Sequence, residues 1–363
     1  MGLKKVPKGP LRDGFTTGTS ATAAAKAALL SIIKQEKQET VKVHLPVDKI
    51  LDIAIHSNEF SDDKASCSVI KDAGDDPDVT NGAEVGCEIQ LTKDKEITFV
   101  GGEGVGTVTL TGLELNVGEP AINPVPRQMM RSAVQKLISD YDLECGVIIS
   151  VFVVNGKALA KRTLNERVGI MDGLSILGTS GIVKPYSSSS YIASIEQGID
   201  VAIANDITEL VINSGARSEK YLRQLFSELK EQSFVHYGNW IGETLNKIKI
   251  SNEIKTVTIG IMLGKAVKLA YGKTDTHSCV SSWNKEFVAD LAIQSGSPNE
   301  IKEQIMALNM AGRLPELFPF NEEEKFYQSL LKECYKHCIK IIDHKELNIY
   351  LIDKDGGLIK YQK

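Results

Sequence analysis

Glu209-Leu210-Val211-Ile212-Asn213, followed by Ser214-Gly215-Ala216-Arg217 and a helical stretch to Leu229, is the segment whose reading decides the fold. A short β-branched run ends in a polar, glycine-containing turn that opens a helix. The pattern recurs twice. Phe234-Val235-His236 leads into Tyr237-Gly238-Asn239 and a helix from Trp240. Thr256 to Ile259 leads into Gly260 to Lys265 and a helix to Ala270. Strands alternating with helices predict a parallel sheet with right-handed crossovers. In such sheets ligands bind at the carboxyl ends of the strands. That rule puts Ser214, Gly215, Arg217, Gly238, Asn239, Gly260 and Gly264 along one rim. Residues 284–340 read as mostly helical. Leu347–Ile352 and Leu358–Gln362 read as a terminal hairpin, with Asp355-Gly356 as its turn signal.

Residues ahead of about 185 have another texture. Thr16 to Ser20 offers helix caps before an alanine-rich apolar run to Ile33, so a helix should begin near Thr17 to Thr19. Val41–Val47, Ile50–Ile55, Ala65–Ile70, Glu84–Thr92 and Ile97–Val100 read as strands. Cys145 to Val154 reads as a buried strand, and Asn155-Gly156 as a hairpin turn into a return strand over Lys157–Arg162. Ser187 to Ser190 should cap a helix over Tyr191–Ala204. The expected class is α/β and α+β. A mixed α+β domain with Gly-rich loops covers 1–184. A Rossmann-like parallel α/β domain, with C-terminal helices and a hairpin, covers 185–363.

Between these regions lies GGEGVGTVTLTGLELNVGEPAINPVPR, Gly101 to Arg127. Its glycines permit positive φ and close approach of a ligand to the main chain, and their N–H groups can form an anion-binding nest. The same glycines also suit tight turns between strands. Its prolines fix an extended path into a helix starting near Pro126. Gly102, Glu103, Gly104, Asn123 and Arg127 are candidate ligand contacts here, joined by Thr17 at the alanine-rich helix and by Lys265. Arg127 can grip a carboxylate with two parallel hydrogen bonds, or pair with Glu103 or Glu119 and pin the loop. Asp76, in the acidic loop Lys71–Thr80, and His277 are the candidate acid–base residues. Turn chemistry also explains that loop, though three carboxylates in four residues (Asp75, Asp76, Asp78) need compensation.

The chain has 363 residues, 42% hydrophobic and 25% charged, which supports a large core and two domains. A net charge of −5 without a basic stripe argues against nucleic acid. Lys4, Lys5, Lys8 and Arg12 belong to an arm over 1–13 expected to be solvated. No apolar run reaches membrane-spanning length, and a cytoplasmic protein is the default. The six cysteines are scattered, as expected of reduced thiols. Cys334, His337 and Cys338 supply too few ligands for zinc, so no protein-bound metal is expected.

Seven segments occur in a telling order: LRDGFTTGT (11–19), DDPDVT (75–80), GGEGVG (101–106), VGEPAINPVPR (117–127), NERVGI (165–170), SILGTSGIV (175–183) and THS (276–278). Together they resemble the cobalt-precorrin-5B C(1)-methyltransferases of anaerobic cobalamin biosynthesis, the CbiD type, over roughly residues 11 to 280. The resemblance implies S-adenosylmethionine as methyl donor and a cobalt-precorrin as substrate, methylated at C1 to give cobalt-precorrin-6A. Ser20 stands where the family often has Cys, which argues against a necessary thiol nucleophile. On this reading the donor occupies the C-terminal rim. Arg127 and Lys265 then belong among the cations available to the substrate's many carboxylates. A homo-oligomer is left open. Two other classes compete: a nucleotide-dependent small-molecule kinase using Gly101–Gly106 as a phosphate loop, and a non-catalytic corrinoid-binding protein. Thr107-Val108-Thr109 supplies no phosphate-loop lysine, which counts against the kinase.

Overall fold

The structure is a computed structural model that describes residues 9–277 and 281–363. The chain divides into two compact units, with the boundary between Ser187 and Ser188.

The first unit contains β1 (Gly14–Phe15), α1 (Thr17–Lys34), β2 (Thr40–His44), β3 (Ile50–Ala54), β4 (Ser57–Phe60), β5 (Lys64–Ile70), β6 (Glu84–Thr92), β7 (Ile97–Gly101), β8 (Thr107–Val108), α2 (Pro124–Asp140), β9 (Gly146–Val153), α3 (Gly156–Ala160), β10 (Ile170–Met171) and β11 (Ile182–Val183). Its five-stranded sheet has the order β4-β5-β6-β9-β7, antiparallel except for the β7–β9 pair. Helix α1 lies against β5, β6 and α2. Ala21, Ala23, Ala24, Ala25, Ala27 and Ala28 are all fully buried, so the helix packs on more than one side. Alanine makes that closeness feasible, because its side chain adds little bulk and loses no rotamer freedom. Thr16 caps the helix, its Oγ1 accepting the Thr19 N–H at 3.1 Å.

One expectation changes here. Asn155-Gly156 does not turn a hairpin: Asn155 is left-handed (φ 58°) and Gly156–Ala160 is the short helix α3. The reason is positional. β9 is flanked by β6 on one side and β7 on the other, so no free edge remains for a return strand. The polar strand β4 has no alternating apolar pattern, and its pairing with β5 is what makes it a strand.

The second unit contains α4 (Ser188–Ala204), β12 (Glu209–Asn213), α5 (Ala216–Leu225), β13 (Phe234–His236), α6 (Ile241–Lys249), β14 (Thr256–Met262), α7 (Leu263–Ala270), α8 (Lys285–Gln294), α9 (Ile301–Ala307), α10 (Lys325–Ile342), β15 (Glu346–Ile352) and β16 (Leu358–Lys360). Its sheet runs β13-β12-β14-β15-β16, parallel through β15 and closed by the antiparallel β16. Alternation along β12 serves two cores. Leu210 and Ile212 join the larger cluster with α6, α7 and α10, while Val211 packs with Leu222 of α5 and Ile352. Cys334 and Cys338 sit inside the larger core, where burial pushes the Cys338 thiol up to about 12. Both behave as small apolar residues. No helix among the described residues is long and apolar enough to cross a membrane.

Candidate functional site

The candidate residues form two groups, one in each unit. In the first, the Gly101–Arg127 stretch is stitched to β9 and to the segment Leu174–Leu177. The Gly102 N–H donates to the Val151 carbonyl at 2.7 Å, and Val153 N–H to the Glu103 carbonyl at 2.8 Å. Leu174 N–H donates to the Gly104 carbonyl, and Gly106 N–H to the Leu174 carbonyl, both at 2.9 Å. Ile176 N–H donates to the Ala121 carbonyl at 2.8 Å, and Asn123 N–H to the Ile176 carbonyl at 2.9 Å. The Gly102 and Gly106 amides are therefore consumed by the protein. Gly104 has φ 75°, and a Cβ there would lie 2.1 Å from the Val153 carbonyl oxygen.

Arg127 pairs with Glu119 within its own loop. Its Nε donates to the Ile122 carbonyl at 2.7 Å, and one terminal nitrogen donates to Glu119 Oε2 at 2.8 Å and the Pro120 carbonyl at 3.1 Å. Its fork is thus largely engaged by its own loop. Asn123 caps α2 by position alone, with no side-chain hydrogen bond to the helix.

Segment Leu174–Leu177 continues to the start of α1. Thr17 Oγ1 donates to the Leu177 carbonyl at 3.2 Å and accepts the Leu177 N–H at 3.0 Å, while Gly18 N–H donates to the same carbonyl at 3.0 Å. Beside this junction is a cavity of about 270 Å³, lined among others by Thr17, Lys71, Asp78, Asn165, Ser175 and Leu177. The Lys71 side chain is 1% exposed, and its ammonium meets Asp78 at 2.7 Å. Asp78 also accepts the Thr80 N–H and hydroxyl, each at 2.7 Å. Burial alone would raise the Asp78 carboxyl, but the Lys71 ammonium and the Thr80 donors outweigh it and hold the group below the usual range. Lys71 was missed in the sequence, although a signal existed. Ala65, Cys67 and Val69 are buried on alternate positions of β5, and two residues on the same phase reaches Lys71.

The acidic loop's repulsion is compensated one group at a time. Asp75 accepts the Arg12 N–H at 2.6 Å, Asp72 the Arg12 guanidinium at 2.5 Å, and Asp76 the Tyr186 N–H at 2.8 Å. Asp76 is therefore tied to the backbone of the segment entering α4. The arm's end at Arg12 is held down, and residues 1–8 lie outside the described residues.

In the second unit the carboxyl ends of β12, β13 and β14 bring several candidates together. Gly215 precedes α5 with φ 142° and ψ −175°, and nothing lies within 4 Å of where its Cβ would be. Its N–H donates to Asn213 Oδ1 at 3.0 Å, and Ser214 Oγ lies 3.2 Å from Ser218 Oγ. Arg217 is exposed on α5. Gly238, φ 56°, accepts a hydrogen bond at its carbonyl from Lys265 Nζ, which sits 5.6 Å from the Tyr237 ring centroid. Burial, reinforced by neighbouring Lys268, pushes Lys265 down to about 8. Asn239 accepts the Thr276 N–H at 2.9 Å, which brings the segment carrying His277 alongside the rim. The His277 N–H donates to Asp275 Oδ1 at 2.9 Å, while the following Ser278 lies outside the described residues. Tyr191 and Trp240 add a tilted ring pair at 4.8 Å. Gly260 is a correction. β14 runs on to Met262, so Gly260, level with Asn213 at the end of β12, is a buried strand residue whose Cβ would meet Leu222 at 2.3 Å.

A mixed, largely antiparallel unit with stitched glycine loops, joined in one chain to a unit with a largely parallel sheet, defines a two-unit mixed α/β protein. The family model described as CbiD matches residues 4–185, and that described as CbiD, C-terminal domain, matches residues 275–363. The chain belongs to the CbiD family. It is 42% identical over 355 residues to a Prosthecochloris aestuarii protein named cobalt-precorrin-5B C(1)-methyltransferase, covering 97% of this chain and 96% of that one. A Priestia megaterium protein of the same name is 41% identical over 340 residues, covering 93% and 92%. A crystal structure titled as the cobalamin biosynthesis protein (cbiD) from Archaeoglobus fulgidus is 29% identical, covers 74% of this chain and 83% of that chain, and superposes with a TM-score of 0.40.

Proposed function

We propose that this chain is a methyltransferase of cobalamin biosynthesis that moves the methyl group of S-adenosylmethionine onto C1 of cobalt-precorrin-5B. The observation that carries this reading is the match along nearly the whole chain to curated relatives bearing that enzyme name. The chemistry suits what the chain offers. A sulfonium donor is already activated, so the protein's task is to align the donor methyl with a nucleophilic ring carbon and exclude water. We assign the donor to the rim of the second unit, read as a Rossmann-like domain. There Gly215 leaves open space at a helix start and Lys265 offers a half-buried ammonium. We assign contacts with the acidic macrocycle to the first unit's loops around Thr17, Gly102–Gly104 and Asn123. There Arg127 shapes the loop and does not grip the substrate. His277 and Asp76 are retained as candidate acid–base groups, and a cytoplasmic location accompanies the reading.

The kinase alternative loses support because the Gly102 and Gly106 amides are spent on protein carbonyls. The test is incubation with cobalt-precorrin-5B and methyl-labelled S-adenosylmethionine, alongside calorimetry with S-adenosylhomocysteine and ATP. Label in the macrocycle and binding of S-adenosylhomocysteine are expected. Tight ATP binding without methyl transfer would overturn the reading. Corrinoid binding without methyl transfer would make the chain a binding protein.

A further inference from the structure

The cavity beside the start of α1 holds donors that the protein leaves unanswered. A helix has four N-terminal N–H groups without intrahelical partners. In α1, Gly18 N–H goes to the Leu177 carbonyl, Thr19 N–H to Thr16 Oγ1, and Ser20 N–H to the Thr16 carbonyl. Thr17 N–H has no partner among the described residues. Ser175 is 7% exposed and lines the same cavity, and its hydroxyl likewise has no partner among the described residues. Lys71, with its side chain 1% exposed, gives one N–H to Asp78 and has two to spare. Donors not used within the protein seek an acceptor, and the Thr17 N–H, the Ser175 hydroxyl and the spare N–H groups of Lys71, on residues lining one cavity at the positive end of an 18-residue helix, call for an anion. Asp78 does not fill that need, because it faces Lys71 and Thr80 as an acceptor already supplied with three donors. The apolar lining, Val79, Leu174, Leu177 and Val183, suits an aliphatic stem behind the anionic group.

We propose that this cavity is a binding site for a ligand carboxylate on a short aliphatic arm, received by Thr17 N–H, the Ser175 hydroxyl and the Lys71 ammonium. It deepens the methyl-transfer reading and rests on it for the choice of probes. Two sources carry such a group: the acetate and propionate arms of a corrinoid macrocycle, and the amino-acid end of the methyl donor.

The experiment is calorimetry on the full chain with two pairs of ligands. Cobyrinic acid, with free carboxylates, is set against cobinamide, whose arms are amides. S-adenosylhomocysteine is set against 5′-methylthioadenosine, which lacks the amino acid. Ser175→Ala removes only a hydroxyl without a partner, so the apo protein should keep its melting temperature. Thr17→Pro removes the N–H, and Thr17→Ala is its control. Thr16, at φ −79° and ψ 166°, already has the extended backbone that a following proline requires. Ser175→Ala, and Thr17→Pro relative to Thr17→Ala, should each weaken one carboxylate ligand about tenfold and leave its carboxylate-free counterpart unchanged. Weakening confined to cobyrinic acid makes the arm the macrocycle's, and weakening confined to S-adenosylhomocysteine makes it the donor's. Unchanged affinity for both, or failure of wild type to bind either, overturns the site. Loss of binding in the variants of a chain that transfers no methyl group would overturn the proposed reaction and leave the site standing.

Discussion

Glycines that look alike in sequence do opposite things: Gly102, Gly104 and Gly106 of the first unit against Gly215 and Gly264 of the second. In the first unit a Cβ at Gly102, Gly104 or Gly106 would lie 2.9, 2.1 or 2.5 Å from its nearest neighbour, so these residues let strands and loops close on each other. In the second unit Gly215 and Gly264 face open space. A glycine that prevents a collision is a packing residue. A glycine with nothing near it, at a strand end and a helix start, leaves room for something else. The difference separates crowded glycines from open ones, and composition could not have revealed it.

The largest expected effect tests that contrast directly. Gly104→Ala combines positive φ (75°) with a carbonyl oxygen 2.1 Å away, so backbone has to move. The cost should be about 3–5 kcal/mol, summing left-handed strain and overpacking. Gly215→Ala meets no atom but keeps a backbone region nearly reserved for glycine, so about 1–2 kcal/mol is expected. Denaturant midpoints of the two variants check the ranking. Equal losses would mean that φ alone decides both positions and that the frame-versus-rim distinction is empty.

A smaller effect comes from the rim's half-buried ammonium. Folded Lys265 gives up its proton near pH 8, whereas an unfolded lysine holds it to about 10.4. Within that window the unfolded chain binds more protons, so stability rises with pH there and is flat below it. Lys265→Met lacks this dependence. Between pH 7 and 11 the wild type should gain on the variant by about 2 kcal/mol, after allowance for the ammonium's partial exposure. A stability difference that does not change with pH would show that Lys265 titrates as an ordinary surface lysine.

Legibility followed the same divide. The three strand–turn–helix repeats and the terminal hairpin could be read because local pattern and tertiary role agree there. β12, β13 and β14 are parallel neighbours, and β15 pairs with β16. The Asn155-Gly156 hairpin failed because the turn signal is local, whereas the place of β9 in mid-sheet is set by β6 and β7, both distant in sequence. Gly260 reads as a turn residue because nothing local signals that β14 continues to Met262. The candidate site was legible as segments but not as partners. SILGTSGIV stood out as a motif, yet Ser175 gains meaning only because Leu174, Ile176 and Leu177 bond to the glycine loop and to α1, which sets it in the lining of the cavity. Lys71 was visible as the buried phase of β5, and it was passed over because lysine rarely occupies such a phase.

The smallest effect concerns Arg127, where frame and site compete within one residue. Its guanidinium serves two carbonyls and a carboxylate of its own loop, and it lies 6.0 Å from the Phe99 ring centroid. The ion pair itself is partly exposed, 25% on the Arg127 side and 34% on the Glu119 side, so its charge contributes little. The planar fork carries most of the value, because it reaches Ile122, Pro120 and Glu119 at once. Arg127→Lys keeps the charge and loses that geometry. An ammonium can hold Glu119 or a carbonyl, but not all three from one position. The expected loss is about 1 kcal/mol, or about 2–4 °C in the melting temperature of a unit this size. If Arg127 only shapes the loop, binding of S-adenosylhomocysteine and corrinoid should weaken no more than this loosening explains. A variant that melts like wild type and yet loses methyl transfer would return Arg127 to direct contact with the substrate. The frame would then reach into the site at that residue.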